Sequence, residues 1–245
     1  MRVLIIADVH GNLPALEAVL ADAGPVDEIW SLGDLVGYGP HPNEVVQVLR
    51  ALPFRSLAGN HDWGATGQAD LSVFNADARA ACQWTDGVLT HETREYLMSL
   101  EVSSVFGSVH VAHGSPREPL WEYLTNVRLA EINFGYFGTQ VCLVGHTHVP
   151  IMFRWRRGVH GAGAFSTTVP NAGDAIDPED DRLIFNPGSV GQPRDGDPRA
   201  AYASYEPATG RFTFHRVAYD IAATQAAMHA AGLPDRLAFR LLYGS

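Results

Sequence analysis

The sequence has little cysteine and no long apolar segment. Its only two cysteines, Cys82 and Cys142, stand 60 positions apart in apolar contexts. That spacing excludes a disulfide framework and a C-x-x-C motif, so we expect two buried free thiols in a reducing cytoplasm. No apolar run reaches the roughly 18 residues of a membrane-spanning helix. The N-terminal apolar run is too short for a signal peptide and ends early, at Asp8. We therefore predict a cytoplasmic protein.

Charged side chains are also scarce, at 18% of the residues, and negative ones prevail. The chain has 17 Lys and Arg against 27 Asp and Glu, a formal charge of −10. Such a surface argues against binding to long nucleic acid or to an anionic membrane. An acidic chain that binds phosphates needs a local positively charged site, and a metal site is the obvious candidate. The hydrophobic fraction of 46% over 245 residues predicts one α/β domain spanning residues 1–245.

The first 62 residues predict the order strand, helix, strand, helix, strand. The expected strands are 3–7, 29–32 and 55–58; one helix follows Asn12, and the other spans 42–52. A polar cluster follows each strand. This is the sheet edge at which open α/β sheets place their ligands.

The remainder alternates in the same way. Residues 70–100 are predicted to be mostly helical, as are 117–137 with a break, 221–231 and 234–243. Strands are expected over 102–105, 108–112, 141–144, 183–186, 201–205 and 212–217, with an edge strand over 151–155. Residues 158–181 are rich in Gly, Ala, Thr and Asp and indicate a long surface loop or a weak hairpin.

Five short motifs at the ends of apolar segments carry the ligand types that suit Mn, Fe or Zn. They are Asp8-Val9-His10, Gly33-Asp34, Gly59-Asn60-His61-Asp62, His113-Gly114 and Gly145-His146-Thr147-His148. The candidate metal ligands are Asp8, His10, Asp34, Asn60, His113, His146 and His148. Seven ligands are too many for one ion with an open position. They suit two ions that share a carboxylate and clamp a phosphate between them.

In this order, the five motifs resemble the calcineurin-like metallophosphoesterase superfamily, whose pattern is D-x-H, G-D, G-N-H-[DE], H and G-H-x-H. Asn186-Pro-Gly-Ser189 also resembles a segment of its small prokaryotic members. The resemblance implies an α/β (α+β) fold: a four-layer αββα sandwich of two facing mixed sheets, with the metal site at the C-terminal ends of strands. It also implies two divalent ions. Mn²⁺ is our first expectation, and Fe, Zn and Ni suit the same ligands.

The resemblance further implies a role for each motif residue. Asp8, His10 and His148 would hold one ion; Asn60, His113 and His146 would hold the other; and Asp34 would bridge both. A hydroxide bridging the ions would attack phosphorus. His61 would protonate the leaving alkoxide as general acid.

The chain departs from the protein Ser/Thr phosphatases, which carry G-D-x-V-D-R-G. Gly37 stands where that motif has the Asp that orients the catalytic His, and Tyr38 where it has the phosphate-holding Arg. A protein phosphatase or a symmetrical dinucleoside tetraphosphatase is therefore disfavoured. Arg194 or Arg199 could supply the missing cation, and Tyr38 and His41 could line the substrate mouth. Histidines matching no motif are expected at the surface or in packing: His91, His110, His160, His215 and His229.

The function expected from these features is hydrolysis of a small phosphodiester, phosphomonoester or nucleotide. A protein Ser/Thr phosphatase or dinucleoside-polyphosphate phosphatase is an alternative activity of the same site. A non-catalytic metal-binding scaffold is the alternative from another class, although such a scaffold would be expected to lose His61 or a ligand. The acidic charge counts against a nuclease. The sequence leaves open the natural substrate, the preference for monoesters or diesters, the metal and the oligomeric state.

Overall fold

The first of two mixed sheets contains the N-terminal strands. In the computed structural model, which describes residues 1–158 and 163–245, its strand order is β3-β2-β1-β11-β12-β9. These strands are β1 Val3–Ile6, β2 Glu28–Ser31, β3 Phe54–Ser56, β9 Ala175–Ile176, β11 Ala200–Glu206 and β12 Arg211–Val217. The first three are parallel, whereas β11 pairs antiparallel with β1.

The second sheet has the order β4-β5-β6-β10-β7-β8. Its strands are β4 Ser103–Phe106, β5 Val109–Ala112, β6 Val141–Leu143, β7 Ile151–Arg156, β8 Ala164–Thr168 and β10 Arg182–Asn186. Strands β5, β6 and β10 are parallel, and antiparallel strands complete both sides. Each sheet thus contains three adjacent parallel strands, at one side of the first sheet and in the centre of the second, and the polar motifs follow their C-terminal ends.

Helices cover the outer faces of both sheets. The described residues form α1 Leu13–Ala23, α2 Pro42–Arg50, α3 Asn60–Thr66, α4 Ala76–Val88, α5 His91–Met98, α6 Val127–Asn133, α7 Ile221–Ala230 and α8 Asp235–Arg240. Asn12 caps α1 as predicted, with its side-chain oxygen accepting from the Ala15 amide at 3.3 Å. Helices α1, α2 and α5 pack on the first sheet, and α6 packs on the second. The four-layer αββα prediction is confirmed.

Strand β1 shows why its sequence is apolar without interruption. Val3 and Ile5 point into the core between the two sheets, where they meet residues such as Phe185. Leu4 and Ile6 point the other way, toward the helix layer and residues such as Leu16. Both faces of the strand are covered, so every side chain along it is buried.

Three predictions of local structure are wrong. Helix α6 accounts for only seven residues of 117–137; Pro116 and Pro119 lie nearby in the preceding loop, where they lack amide donors and disfavour helix in the residues before them. The segment 158–181 contributes β8 to one sheet and β9 to the other. Consequently β7 is not an edge strand, because β8 lies outside it. Most side chains of β8 are exposed, so its sequence lacks the apolar signal of an inner strand.

Candidate metal centre

The structure brings all seven candidate ligands to one place between the two sheets. Asp8 and His10 follow β1, Asp34 follows β2, and Asn60 opens α3 just after β3. His113 follows β5, and His146 and His148 follow β6. Parallel strands end at the same edge of a sheet, and here the two edges face each other. All seven side chains are buried.

Most of these residues have an unusual backbone conformation. Asp8, His10, Asp34, His146 and His148 have φ between 50° and 66°, the left-handed region that costs a residue with a Cβ about 1–2 kcal/mol. Surrounding hydrogen bonds hold this conformation: the Asp8 amide donates to Gly33 O at 3.1 Å, and the His10 amide donates to Asp34 O at 2.9 Å. Strain of this kind concentrates at functional sites.

The candidate ligands form two groups that share one carboxylate. Asp8, His10, Asp34 and His148 make the first group, and Asp34, His113 and His146 make the second. In the first, the Nε2 atoms of His10 and His148 are 3.1 Å apart, and His10 Nε2 lies 3.5 Å from Asp34 Oδ2. In the second, His113 Nε2 lies 3.4 Å from the same oxygen and 3.2 Å from Asn60 Oδ1.

Backbone carbonyls orient the four imidazoles. Nδ1 of His10, His113 and His148 donates to the carbonyls of Val36, Leu32 and Gln192 at 3.1, 2.8 and 2.7 Å. In their neutral forms these imidazoles would therefore carry the proton on Nδ1, which would leave the lone pair of Nε2 to face a cation. His146 is turned round, since its Nε2 contacts Trp121 O at 3.2 Å and leaves Nδ1 for the site.

This arrangement fits divalent cations. In the parts of the chain that the structure describes, Asp8 Oδ2 and Asp34 Oδ2 are buried and have no hydrogen-bond partner. Buried carboxylate oxygens and imidazole lone pairs facing one another are costly unless a cation lies between them. Oxygen and nitrogen donors of this kind suit first-row divalent metals.

The pKa shifts describe the charge balance of the site. Burial lowers the pKa values of His10 and His148, and that of His146 to about 3. Burial also raises the pKa of Asp8 to about 7. It would lower the pKa of His113, but attraction to Asp34 and Asp8 raises it to about 9. A proton on His113 thus balances the carboxylates, and a bound cation would take its place, since a ligating His is neutral.

The backbone at position 59 passes very close to the shared carboxylate. A Cβ on Gly59 would lie 2.0 Å from Asp34 Oδ1, which no side chain allows. Asp34 Oδ1 instead accepts the amide of His61 at 2.8 Å. The glycine before Asn60 thereby lets β2 and the start of α3 meet at one carboxylate.

His61 lies next to the ligands without joining either group. Its ring is 4.9 Å from that of His10 and 4.2 Å from that of Tyr38. Its Nδ1 contacts Cys82 Sγ at 3.5 Å. Burial lowers the pKa of His61 to about 4, against an opposing effect of Asp34. Both cysteines are buried and free, as predicted.

Tyr38 and Arg194 flank the metal centre. The Tyr38 ring is 4.6 Å from the His10 ring, and the Arg194 guanidinium lies over Tyr38 at 5.6 Å. The prediction for Arg199 is not supported, because Arg199 is bonded to Asp197 in an exposed loop. His41 precedes α2, and its amide donates to Gly11 O.

The histidines outside the motifs have ordinary partners. His91 pairs with Glu95, and His229 pairs with Asp235. His110 contacts Ser103 Oγ, and His215 contacts Ser204 Oγ. His160 lies outside the described residues.

Sequence reasoning missed the contact of Cys82 with His61 and that of Tyr123, whose ring lies 3.9 Å from the His146 ring. It noted Asn186-Pro-Gly-Ser189 without a function. Asn186 Nδ2 donates to Gly145 O at 2.6 Å, and Ser189 Oγ donates to Asp8 O at 2.8 Å. This segment therefore holds two of the ligand-bearing turns in place.

Comparisons with known proteins agree with this geometry. The model of the calcineurin-like phosphoesterase superfamily domain matches residues 1–210. The chain belongs to this superfamily. The crystal structure of a metallophosphoesterase from Sphaerobacter thermophilus superposes with a TM-score of 0.89 at 53% identity, covering 100% of this chain and 99% of that one.

Two curated relatives differ in how much they share. An uncharacterised protein of Methanocaldococcus jannaschii is 34% identical over 250 residues, covering 99% of this chain and 98% of its own. A symmetrical bis(5'-nucleosyl)-tetraphosphatase of Pectobacterium carotovorum is 39% identical over 67 residues, covering 25% of this chain and 24% of its own.

The helices of the described residues are all too short or too polar to span a membrane.

Proposed function

We propose that the protein is a phosphoesterase that uses two divalent metal ions to hydrolyse small phosphate esters. The observation that carries this proposal is the position of Asp34, whose carboxylate belongs to both ligand groups. A shared carboxylate is what a pair of ions about 3.5–4 Å apart requires. Membership of the superfamily supports the same activity.

The chain's own residues divide between the two ions. Asp8, His10 and His148 would hold the first, Asn60, His113 and His146 the second, and Asp34 both. Mn²⁺ is our preferred metal, and Fe, Zn and Ni suit the same donors. When bound, the ions would supply the positive charge that activates the attacking water and polarises the phosphoryl group.

His61 would deliver a proton to the leaving group. Its contact with Cys82 occupies Nδ1 and leaves Nε2 free for the substrate oxygen. A phosphate bound beside His61 would favour the protonated imidazole, since a nearby negative charge stabilises the positive form. Burial raises the pKa of the Cys82 thiol, so Cys82 stays neutral and adds no competing charge.

Tyr38 and Arg194 would contact the phosphate ester at the mouth of the site. The Arg194 backbone amide donates to His148 O at 3.2 Å, which ties this arginine to a ligand-bearing turn. Its guanidinium offers a planar pair of donors for phosphate oxygens. Arg194 would thereby replace the phosphate-binding arginine that position 38 lacks.

A dinucleoside polyphosphate is a second candidate substrate. The 67-residue similarity to the symmetrical tetraphosphatases favours it. The substitutions at positions 37 and 38 count against a close copy of that activity and against a protein Ser/Thr phosphatase. The intact ligand set and His61 count against a non-catalytic scaffold.

We further infer that residues 1–245 act as one domain, because side chains from both sheets share one core. A cytoplasmic location is in keeping with the two buried free thiols.

A hydrolysis panel after metal reconstitution tests the proposal. It includes p-nitrophenyl phosphate, bis-p-nitrophenyl phosphate, cyclic nucleotides, dinucleoside polyphosphates and a phosphopeptide. We expect metal-dependent hydrolysis of at least one small ester and little of the phosphopeptide. Stoichiometric metal binding without hydrolysis of any compound would identify a scaffold instead.

A further inference from the structure

A polar cavity of about 410 Å³ lies beside the candidate metal centre. Tyr38, Tyr123 and Arg194 line one side of it, and Arg236 and Arg240 of α8 line another. The two tyrosines also touch the proposed ligands: the Tyr38 ring is 4.6 Å from His10, and the Tyr123 ring is 3.9 Å from His146. Two of the residues that line the cavity therefore also contact candidate metal ligands.

Two arginines of helix α8 line the cavity. Leu237, Ala238 and Leu241 are buried in a small apolar cluster that also contains Tyr38 and Met228. Arg236 and Arg240 are four residues apart and so lie on one side of the helix. The packing of α8 thereby places this side of the helix along the cavity, with the Arg236 side chain largely exposed.

The cavity is cationic, in contrast to the protein as a whole. Its lining contains three arginines and one carboxylate, Asp77, a formal charge of 3 − 1 = +2, whereas the whole chain carries −10. Asp77 approaches Arg236 only to 3.9 Å. Arg194 donates to a neutral acceptor, Gln192 Oε1, at 2.8 Å. Arg240 donates to the main-chain oxygen of Ser245, the last residue of the sequence.

The arginines are also close enough to repel one another. Burial lowers the pKa of Arg240, and the positive charge of Arg194 lowers it further. Gathering like charges around an open space is unfavourable unless an anion enters it. Guanidinium groups pair well with phosphate oxygens because their donors match in direction and spacing.

We propose that this cavity binds a further phosphoryl group of the substrate, so that the natural substrate carries a chain of two or more phosphoryl groups. This inference rests on the proposed function. The phosphoryl group under attack would lie at the metal centre, between Tyr38 and Tyr123. The next one along the chain would lie against Arg236 and Arg240, and Arg194 would contact both phosphoryl groups. A nucleoside polyphosphate and a dinucleoside polyphosphate share this chemistry.

Calorimetric titration of the metal-free protein tests the inference without turnover. The probes are inorganic tripolyphosphate and orthophosphate, and the variants are Arg236→Gln and Arg240→Gln. We expect tripolyphosphate to bind the unaltered protein more tightly than orthophosphate. Each substitution should weaken tripolyphosphate binding about tenfold, since each removes a charged hydrogen-bond donor.

Arg211→Gln is the matched control. Arg211 begins β12 and pairs with Asp177, whereas Arg216, near the other end of that strand, bonds to Asp195 close to the cavity. Five residues of strand separate Arg211 from Arg216 by about 17 Å, and Arg211 does not line the cavity. The control removes the same charge and should leave both affinities unchanged.

Equal affinity for the two probes, no measurable tripolyphosphate binding, or equal losses in all three variants would overturn the inference. Titrations with ATP and with a dinucleoside tetraphosphate then compare the affinity of the cavity for a nucleoside polyphosphate and for a dinucleoside polyphosphate. Since no metal or hydrolysis enters this measurement, its failure would leave the phosphoesterase proposal to the hydrolysis panel.

Discussion

Gly37 lies against the imidazole of His61 so closely that a Cβ at position 37 would be 2.7 Å from His61 Nδ1. Gly37 stands where the protein phosphatase motif has the aspartate that orients the catalytic histidine. Here that place has no room for a side chain, and Cys82 contacts the same nitrogen from α4. The position of His61 therefore depends on a different neighbour in this protein.

Gly37→Ala tests the close packing. Gly37 has φ 87° and Gly196 has φ 86°, but a Cβ on Gly196 would meet no atom of the described residues within 4 Å, so Gly196→Ala is a matched control. Both variants should lose about 1 kcal/mol through backbone strain. Gly37→Ala should lose a further 1–3 kcal/mol or so through overpacking and should hydrolyse esters more slowly. Urea unfolding measures the difference, and equal losses in the two variants would contradict the packing argument.

Cys82→Ala tests whether Cys82 positions His61. We expect about tenfold slower hydrolysis of alkyl phosphate esters, a loss typical of removing a side chain that orients a functional histidine. Cys142→Ala is the control, because Cys142 is equally buried and, among the described residues, its thiol hydrogen-bonds to the backbone carbonyl of Leu143, at 3.7 Å. If both variants lose stability equally and only Cys82→Ala loses rate, Cys82 acts through His61. Equal rates in the two variants would refute this.

His61→Ala separates proton donation from metal binding. The variant should keep both metals yet lose about 10²–10⁴ in rate on esters with a poor alkoxide leaving group. On p-nitrophenyl esters the loss should be smaller, because that leaving group hardly needs a proton. Elemental analysis and a leaving-group series provide the two readouts. Equal losses across the series, or loss of a metal, would count against His61 as the acid.

The fold was predictable because its apolar runs are continuous and end at polar motifs. β1 is buried on both faces, so its uninterrupted apolar sequence clearly indicates an inner strand. β8 is an exposed edge strand, and its Thr-rich and Ser-rich sequence is equally typical of a loop. Apolar sequence patterns arise because side chains are buried, and an edge strand buries few of its side chains.

The candidate ligands were predictable by residue type and spacing, whereas their orientation was not. His146 presents Nδ1 rather than Nε2 because Trp121 O, from a loop 25 residues away in sequence, contacts its other nitrogen. Cys82, Tyr123 and Arg240 reach the site through tertiary packing alone. No local pattern marks such residues, because the partner that gives each its role is distant in the sequence.

Asp34→Ala tests the shared carboxylate. Removing it takes a ligand from both groups and leaves the charge of two ions less compensated. We expect Asp34→Ala to lower the content of both metals, and Asp8→Ala, the matched control, to lower mainly one. Metal analysis after equilibrium dialysis measures the content. A normal metal content in Asp34→Ala would show that Asp34 bridges nothing.

The most direct test of the two-metal site is a titration of Mn²⁺ into chelator-treated protein, with hydrolysis of bis-p-nitrophenyl phosphate followed at each addition. Two ions that act together on one ester predict activity that rises to a plateau at about two equivalents per chain. A plateau at one equivalent would contradict the two-metal site. Full activity in the chelated protein, or none at any loading with this ester and the others of the panel, would contradict the metal-dependent phosphoesterase itself.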